Sequence, residues 1–340
     1  MIIEGLEAAV AAGVIDRATA SRLEPYLNGE APTASENADP DDEKLRLVTG
    51  FNDIFVTIGL LMFLGAMAFL LPAAIAPAAI AIAAWGLAEF FTRARRLALP
   101  SIVLLVVFVG AVFVATLGLF NITGFSAAWN NEVAPLPALV AGMAAAVAAL
   151  LHWLRFHVPI TIAAGVAAVA AMLLALCRML FPSLLADHPI PIFLVLGIGV
   201  FALAMWFDSS DLKRQTRRTD IAFWLHLLAA PLIVHPILMT IVKDAPSGLA
   251  AAEVIAVFLV LAAVALVVDR RAILVSSLAY LAYAAGKLIE YAGAQSSSLA
   301  MSTLAVGAVV LMLSAAWRPL RRAFVGMLPD KIRQRLPVVA

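Results

Sequence analysis

The chain has few charged residues for its length. Only 13% of its 340 residues are Asp, Glu, Lys or Arg, and 64% are apolar. About a quarter of the residues in an ordinary soluble domain are charged. The mean hydropathy is +1.02. These values exclude a soluble globular domain and indicate an integral membrane protein whose main partner is the lipid bilayer.

The chain also has only one cysteine, a net charge close to zero and no recognised catalytic motif. A single cysteine, Cys177, excludes an internal disulfide and a paired-cysteine metal site. The net charge of +1 gives no field for nucleic acid, so no nucleic-acid partner is predicted. The sequence contains no phosphate-binding glycine loop, no zinc-protease motif and no nucleophile elbow. We therefore predict no catalytic residue, no cofactor and no metal site, and a protein that is not an enzyme.

Residues 1–27 show the pattern of a small helical hairpin. Leu6 and Val10 share one helical face, Gly13 is suited to end that helix, and Asp16 can cap a second one. No basic segment followed by a cleavage site is present, so no cleavable signal peptide is predicted. The hairpin is either a tail that packs loosely on the membrane domain or a module that binds a protein partner.

Three further segments follow the hairpin. Residues 28–45 are acidic, contain proline and have almost no large apolar side chains, which is typical of a flexible linker. Residues 46–318 form the predicted transmembrane domain. Residues 319–340 alternate Arg and Lys with apolar side chains, as in an amphipathic segment on an anionic inner leaflet.

The transmembrane domain contains ten apolar runs that are long enough to cross a hydrocarbon core of about 30 Å as helices. Because the backbone in lipid must satisfy its own hydrogen bonds, runs of this length favour helices over strands. The predicted fold is therefore all-α, a polytopic bundle of about ten spans with a small N-terminal helical hairpin. The predicted spans are 51–71, 73–91, 99–120, 135–155, 158–177, 189–207, 220–241, 248–268, 272–293 and 297–317.

Basic residues cluster in alternate connections. Every connection after an even-numbered span is basic, for example at Arg96 after the second span and at Arg270 after the eighth. The only basic residues in the connections after odd-numbered spans are Arg178 and Lys243. Because positively charged loops remain in the cytoplasm, both termini are predicted to be cytoplasmic, in a bacterial inner membrane.

Span nine carries the main candidate site for a ligand or an ion. Tyr280, Tyr283, Lys287, Glu290 and Tyr291 follow three-and-four spacing and therefore share one helix face. Charged side chains inside lipid are costly, so each is a functional candidate. The alternative is a plain ion pair between the lysine and the glutamate, with the lysine stem reaching toward the interface.

Three residues on neighbouring spans extend this prediction. Glu253 on span eight is predicted near the level of Glu290 and is a further candidate for the same site. His226 and His235 on span seven are weaker candidates for a proton relay, because imidazole titrates near neutral pH. The commoner alternatives are a satisfied interior histidine for His226 and an interfacial hydrogen bond for His235.

Other patterns predict packing. Glu89 lies four residues before Arg93, which favours an ion pair at a helix end. Asp53 and Asp220 lie in first turns, where the helix dipole favours a carboxylate. The run of alanine and glycine around Gly142 predicts a close approach between helix backbones.

A pattern near the N-terminus, covering about a sixth of the chain, resembles a known kind of protein family. The residues that carry the likeness are Leu6, Ala12–Asp16, Ala20, Leu23 and then Phe51–Ile54 leading directly into the first span. They resemble uncharacterised bacterial families of predicted membrane proteins with a short cytoplasmic helical hairpin ahead of multiple spans. This resemblance implies a polytopic bacterial membrane protein and transfers no catalytic residue and no substrate. The predicted number of spans is also similar to that of the drug/metabolite transporter superfamily, and this likeness is one of count alone.

Two functional hypotheses follow from these observations. The first is a secondary transporter or permease for a small molecule or an ion, with its polar site on the outer half of the bundle. The second is a non-catalytic membrane scaffold or envelope-assembly protein that recruits a partner through its N-terminal hairpin. A membrane enzyme acting on lipid is a third reading, and no motif supports it.

Overall fold

The computed structural model describes residues 51–122, 133–211, 216–244, 248–291 and 297–333, together with 10–14, 16, 17, 19, 20, 293 and 336. Within these residues every regular element is helical, which confirms the all-α prediction. The chain divides into one unit of Met1–Glu43 with Val339–Ala340 and a second unit of Lys44–Val338. The predicted linker over 28–45 lies outside the described residues.

The described part of the smaller unit contains the predicted turn of the hairpin. Gly13 has a φ of +70°, and its amide donates to the carbonyl of Val10 at 3.1 Å. The Asp16 carboxylate accepts a hydrogen bond from the amide of Thr19 at 2.7 Å, as an N-cap does. Hydrogen bonds from the hydroxyl and amide of Thr19 hold the pKa of Asp16 below its ordinary value. The rest of the hairpin lies outside the described residues and stays a prediction.

The larger unit is a series of helices. In chain order they are α1 (Phe51–Leu70), α2 (Ala76–Ala88, continuing as a π-helix over Glu89–Ala94), α3 (Ala98–Gly118), α4 (Pro135–Phe156), α5 (Ile160–Leu180), α6 (Pro182–Asp187), α7 (Pro189–Ser209), α8 (Arg217–Asp244), α9 (Gly248–Val268), α10 (Ala272–Tyr291), α11 (Ser298–Ala315), α12 (Trp317–Gly326) and α13 (Asp330–Arg333). Nine of these helices are long and apolar enough to cross a membrane: α1, α3, α4, α5, α7, α8, α9, α10 and α11. They coincide with nine of the ten predicted spans.

The second predicted span, 73–91, is the exception. Its regular part, α2, has 13 residues, which is about 20 Å of helix and falls short of the hydrocarbon core. The π-helix that follows adds six residues. The amide of Ala98, which opens α3, donates to the carboxylate of Asp53 at the start of α1, at 3.2 Å. Because the starts of α1 and α3 share one end of the bundle, α2 and its π-helical extension return the chain to that end.

Side-chain contacts gather many helix ends at one end of the bundle, which we call the basic end. Glu89 at the end of α2 binds Arg155 at the end of α4, and Asp208 at the end of α7 binds Arg270 just before α10. At the opposite end, Arg178 of α5 donates to the carbonyl of Val133 just before α4, at 3.0 Å. Successive helices therefore end alternately at the basic end and at the opposite end, as the alternation of basic and non-basic connections in the sequence predicts.

Two glycines allow the backbones of neighbouring helices to approach each other closely. A Cβ added to Gly142 of α4 would lie 3.1 Å from the backbone nitrogen of Met172 in α5, which is the close approach predicted for this run. A Cβ added to Gly197 of α7 would lie 2.6 Å from Cγ1 of Ile233 and 3.1 Å from its backbone nitrogen in α8. Pro231 and Pro236 lie inside α8, which continues through both of them.

Candidate functional site

The predicted polar stripe lies on α10, near the opposite end of the bundle. Nζ of Lys287 lies 2.8 Å from Oε2 of Glu290 and 5.8 Å from the ring centroid of Tyr283. Glu290 also accepts a hydrogen bond from the hydroxyl of Ser298 at 3.4 Å. The lysine and the glutamate are each about one-third exposed. The structure thus brings these residues together, and their role in binding a ligand or an ion stays a prediction.

The other residues of that prediction are more dispersed. Glu253 lies on the exposed side of α9. Nδ1 of His235 on α8 forms a hydrogen bond with the hydroxyl of Tyr280 on α10, so these two side chains link neighbouring helices. Tyr291 is the last residue of α10, and its side chain lies outside the described part of the chain.

His226 belongs to a buried charge cluster at the basic end. Its Nε2 lies 2.8 Å from Oδ2 of Asp208, and its ring packs against that of Phe201. Arg270 binds the same carboxylate through Nε at 3.2 Å and through Nη2, which also donates to the carbonyl of Thr219 at 3.3 Å. All three charged or titratable side chains are buried. The cluster ties the end of α7 to α8 and to the residue pair just before α10.

A second buried charge cluster attaches α12 to the bundle. The carboxylate of Asp269 accepts a hydrogen bond from the indole of Trp317 at 2.8 Å and lies 3.6 Å from Nε of Arg321. Trp317, Arg321 and Val325 form the buried face of α12. In this helix Arg321 thus packs into the bundle with Trp317 and Val325. The predicted contact of residues 319–340 with the inner leaflet stays a prediction.

A cavity lies at the basic end, where the π-helix faces the ends of α3, α4, α5 and α8. Its volume is about 570 Å³, which is in the range of small-molecule sites. Ser101, Phe156, Ile160 and Trp224 form part of its wall. The charged and titratable side chains that line it are Arg93, Arg96, Arg155, His157, Arg217 and Asp220.

The arginines give this cavity an excess of positive charge. Arg155 holds the carboxylate of Glu89 through Nε at 2.6 Å and Nη2 at 3.0 Å, and Arg93 reaches the same carboxylate at 3.3 Å. Among the described residues, Arg96 and Arg217 form no ion pair. Two guanidinium groups are therefore available to an anion that enters the cavity.

The backbone around the cavity has an unusual conformation. Thr92 lies in the π-helix, and single-turn π-helices frequently occur at functional sites. Arg96 and His157, which both line the cavity, have φ values of 53° and 55°. Such left-handed conformations are uncommon for residues other than glycine and cluster at functional sites.

The hydroxyl of Thr92 is the most informative polar group in the cavity wall. This side chain is 8% exposed, and Oγ1 has no hydrogen-bond partner among the described residues. A buried hydroxyl without a partner costs about 1–3 kcal/mol. A ligand that accepts its hydrogen bond would recover that free energy.

Beside the cavity, His152 of α4 lies in an aromatic environment. Its ring is fully buried and packs against those of Trp85, Phe108 and Phe156. Nδ1 lies 3.2 Å from the hydroxyl of Thr161, and Nε2 has no hydrogen-bond partner in the part of the chain that the structure describes. The side chains of His152 and Thr161 thereby join α4 to α5 just behind the cavity wall.

The sequence predicts a candidate site on α10 and gives no motif for this cavity. Its lining comes from three separate stretches of the chain, 92–102, 155–160 and 217–224, and no single stretch shows a motif. One signal was present, because Arg96 and Arg217 follow the second and sixth predicted spans and Arg155 ends the fourth. Alternate connections share one side of a membrane, so these arginines were already predicted to lie at the same level.

The fold and the exposed surface define the class of protein. Large apolar side chains such as Phe69, Ile82 and Leu304 are more than 70% exposed on the helices, as expected for helices in contact with lipid. The chain is an integral, polytopic α-helical membrane protein with nine candidate spans in the described residues. Comparison with protein-family models, with curated proteins and with solved structures finds no match.

Proposed function

We propose that this protein is a secondary transporter of a small anionic solute and that the arginine-lined cavity is its solute site. The observation that carries the proposal is this cavity of about 570 Å³, with Arg96 and Arg217 at its wall. The two arginines lie on different segments, one after the π-helix and one in the first turn of α8. A solute bound between them bridges two parts of the bundle.

The chemistry of the wall supports an anion. Planar guanidinium groups recognise carboxylate and phosphate through two parallel hydrogen bonds. Thr92 lines the same cavity, and we propose its hydroxyl, which has no partner among the described residues, as a further donor. The lining contains one carboxylate, Asp220, against four arginines. The apolar side chains of Phe156 and Trp224 exclude part of the surrounding water.

The orientation of this site is part of the proposal. The basic end carries the arginines that line the cavity, and positively charged connections remain in the cytoplasm. The cavity is then accessible from the cytoplasm of a bacterial cell, and both termini lie on the same side. We propose the pair of Lys287 and Glu290 near the opposite end as the candidate site for a coupling ion or proton.

The test is the binding and transport of anions by the purified full chain. Inorganic phosphate and succinate serve as probes in thermal unfolding, since a ligand that binds the folded state raises the unfolding temperature. Arg96→Gln and Arg217→Gln should each weaken binding by about tenfold or more, because a hydrogen bond to a charged group contributes about 1.5–3 kcal/mol. Flux of the same labelled anion into proteoliposomes should fall in parallel.

Arg95→Gln is the matched control. Arg95 lies next to Arg96 at the basic end, and its guanidinium stacks over the ring of Phe90 at 5.3 Å. It is not part of the cavity lining, so this variant should bind and transport anions like the wild type. Equal losses in all three variants, or no anion-dependent stabilisation of the wild type, would contradict the proposal. Complex formation that depends on residues 1–45, without any flux, would favour the scaffold hypothesis instead.

A further inference from the structure

A smaller apolar cavity opens between α9, α10 and α11, also at the basic end. Its volume is about 180 Å³. Val275 and Val310, which lie on either side of it, are about half exposed. The apolar residues that line it are Phe258, Leu274, Val275, Leu278, Val310 and Leu313.

The mouth of this cavity carries a fixed positive charge. Arg271 is exposed, and its guanidinium carbon lies 5.0 Å from the centroid of the Trp317 ring. The cation–π contact holds the guanidinium over the entrance. Ser314 is also exposed at the rim. An apolar groove with one cation and one hydroxyl at its end is complementary to an anionic phospholipid, whose apolar chains end in a negatively charged headgroup.

We propose that this groove binds an anionic phospholipid, with one acyl chain between α10 and α11 and its phosphate on Arg271. The volume is below the range of about 300–1,000 Å³ for whole small molecules and suits a segment of one hydrocarbon chain. Only 6% of the α11 span is buried within the chain, so its surroundings are lipid.

The basic character of the mouth selects among lipids. Basic pockets between transmembrane helices bind anionic headgroups, and each basic residue near an anionic surface contributes about 1 kcal/mol. A zwitterionic lipid offers the same chains to the groove and gains less from the cation at the rim. This inference does not depend on the solute site, because the two cavities share no lining residue.

Native mass spectrometry of the full chain in detergent tests the inference. The protein is titrated with phosphatidylglycerol or with phosphatidylcholine of identical acyl chains, and bound lipids are counted. We expect tighter binding of phosphatidylglycerol. Arg271→Gln should weaken that binding about fivefold, the equivalent of about 1 kcal/mol, and should leave phosphatidylcholine unchanged. Arg271→Lys should retain most of the preference, because it keeps the charge.

Two further variants separate the explanations. Arg95→Gln removes another exposed arginine that stacks on an aromatic ring at the basic end, and it should leave lipid binding unchanged. Val275→Phe fills the groove from its exposed side and should weaken both lipids. Equal affinities of the wild type for the two lipids, or an unaltered Arg271→Gln variant, would overturn the inference. A dimer that Val275→Phe disrupts would also overturn it, since a second copy would then occupy the groove.

Discussion

Individual basic residues at the same end of the bundle have different environments. Arg270 and Arg321 lie in connections that the sequence marks as positively charged, yet both are fully buried against Asp208 and Asp269. Breaking such a buried pair leaves an uncompensated charge and is strongly destabilising. Arg96 forms no ion pair among the described residues and faces the large cavity. Burial and pairing therefore separate structural arginines from those available to a ligand.

Thr92→Val separates stability from binding at the level of one residue. Valine keeps the shape of the side chain and removes a buried hydroxyl without a partner among the described residues. The free energy of unfolding of the ligand-free protein should therefore rise by about 1 kcal/mol, while anion binding weakens. Denaturant titration and anion-dependent thermal unfolding measure the two effects.

Thr161→Val is the comparison for that prediction. The hydroxyl of Thr161 is also buried, and it bonds Nδ1 of His152 at 3.2 Å. Its removal leaves the imidazole nitrogen unsatisfied, so this variant should lose about 1–3 kcal/mol of stability. A loss of stability in Thr92→Val, with anion binding unaltered, would show that the hydroxyl of Thr92 has no role in the site.

At the level of elements, the π-helix after α2 and the first turn of α8 build the cavity. The π-helix buries Thr92 and precedes the left-handed residue Arg96. The first turn of α8 carries Arg217 and Asp220 into the lining. Arg270 fixes this turn through the carbonyl of Thr219. The close contact of α7 with α8 at Gly197 then holds α8 farther along its length.

Gly197→Ala tests the contact between α7 and α8. The new Cβ would lie 2.6 Å from the side chain of Ile233 and 3.1 Å from its backbone nitrogen. Crowding of this kind costs about 1–3 kcal/mol. The unfolding temperature in detergent should fall, and anion affinity should fall with it, because α8 carries part of the cavity wall.

Gly199→Ala on the same helix is the matched control. A Cβ at Gly199 has no other atom within 4 Å, and alanine is favoured over glycine in a helix by about 1 kcal/mol. This variant should be as stable as the wild type or more stable. Equal behaviour of the two variants would mean that α7 and α8 are not closely packed in the membrane.

At the level of the whole molecule, the number of crossings decides on which side each end lies. Nine helices among the described residues meet the length of a span. We expect α2 and its extension to make a tenth crossing, because Ala98 at the start of α3 binds Asp53 at the start of α1. An even number of crossings then leaves the chain on the side where it started. Alternation of the basic connections leads to the same topology.

Cysteine labelling checks this topology. In a Cys177→Ala background, single cysteines replace Ala73 between α1 and α2, Arg95 after α2, and Leu119 after α3, all of which are exposed. Ala73→Cys and Leu119→Cys should react with an impermeant maleimide added to intact cells without an outer membrane. Arg95→Cys should react only after permeabilisation if the basic end is cytoplasmic, as we propose.

The outcomes of that labelling are distinct. Reaction of Ala73→Cys and Arg95→Cys from the same side would show that α2 does not cross the membrane. Reaction of Arg95→Cys in intact cells, with the other two protected, would reverse the orientation and place the cavity on the outer side. The second outcome would contradict the proposed access from the cytoplasm, and the first would do so if the shared side were the outer one.

The sequence by itself determined the class and the course of the chain. Long apolar runs dictate helices in lipid, because their backbones have no other hydrogen-bond partners, and nine of the ten predicted spans were found as such. Local pairs were equally readable: Glu89 with Arg93, and Lys287 with Glu290, are three or four residues apart and meet on one helix.

Only the tertiary structure decided which distant residues meet. Arg155 reaches Glu89 across 66 residues, and Asp208 binds Arg270 across 62. No helical periodicity encodes such contacts, since they depend on how the helices pack. Packing also left Arg217 and Arg96 facing a cavity and buried Arg270. The same residue type therefore has opposite roles, and its surroundings, which exist only in the folded bundle, determine which one it has.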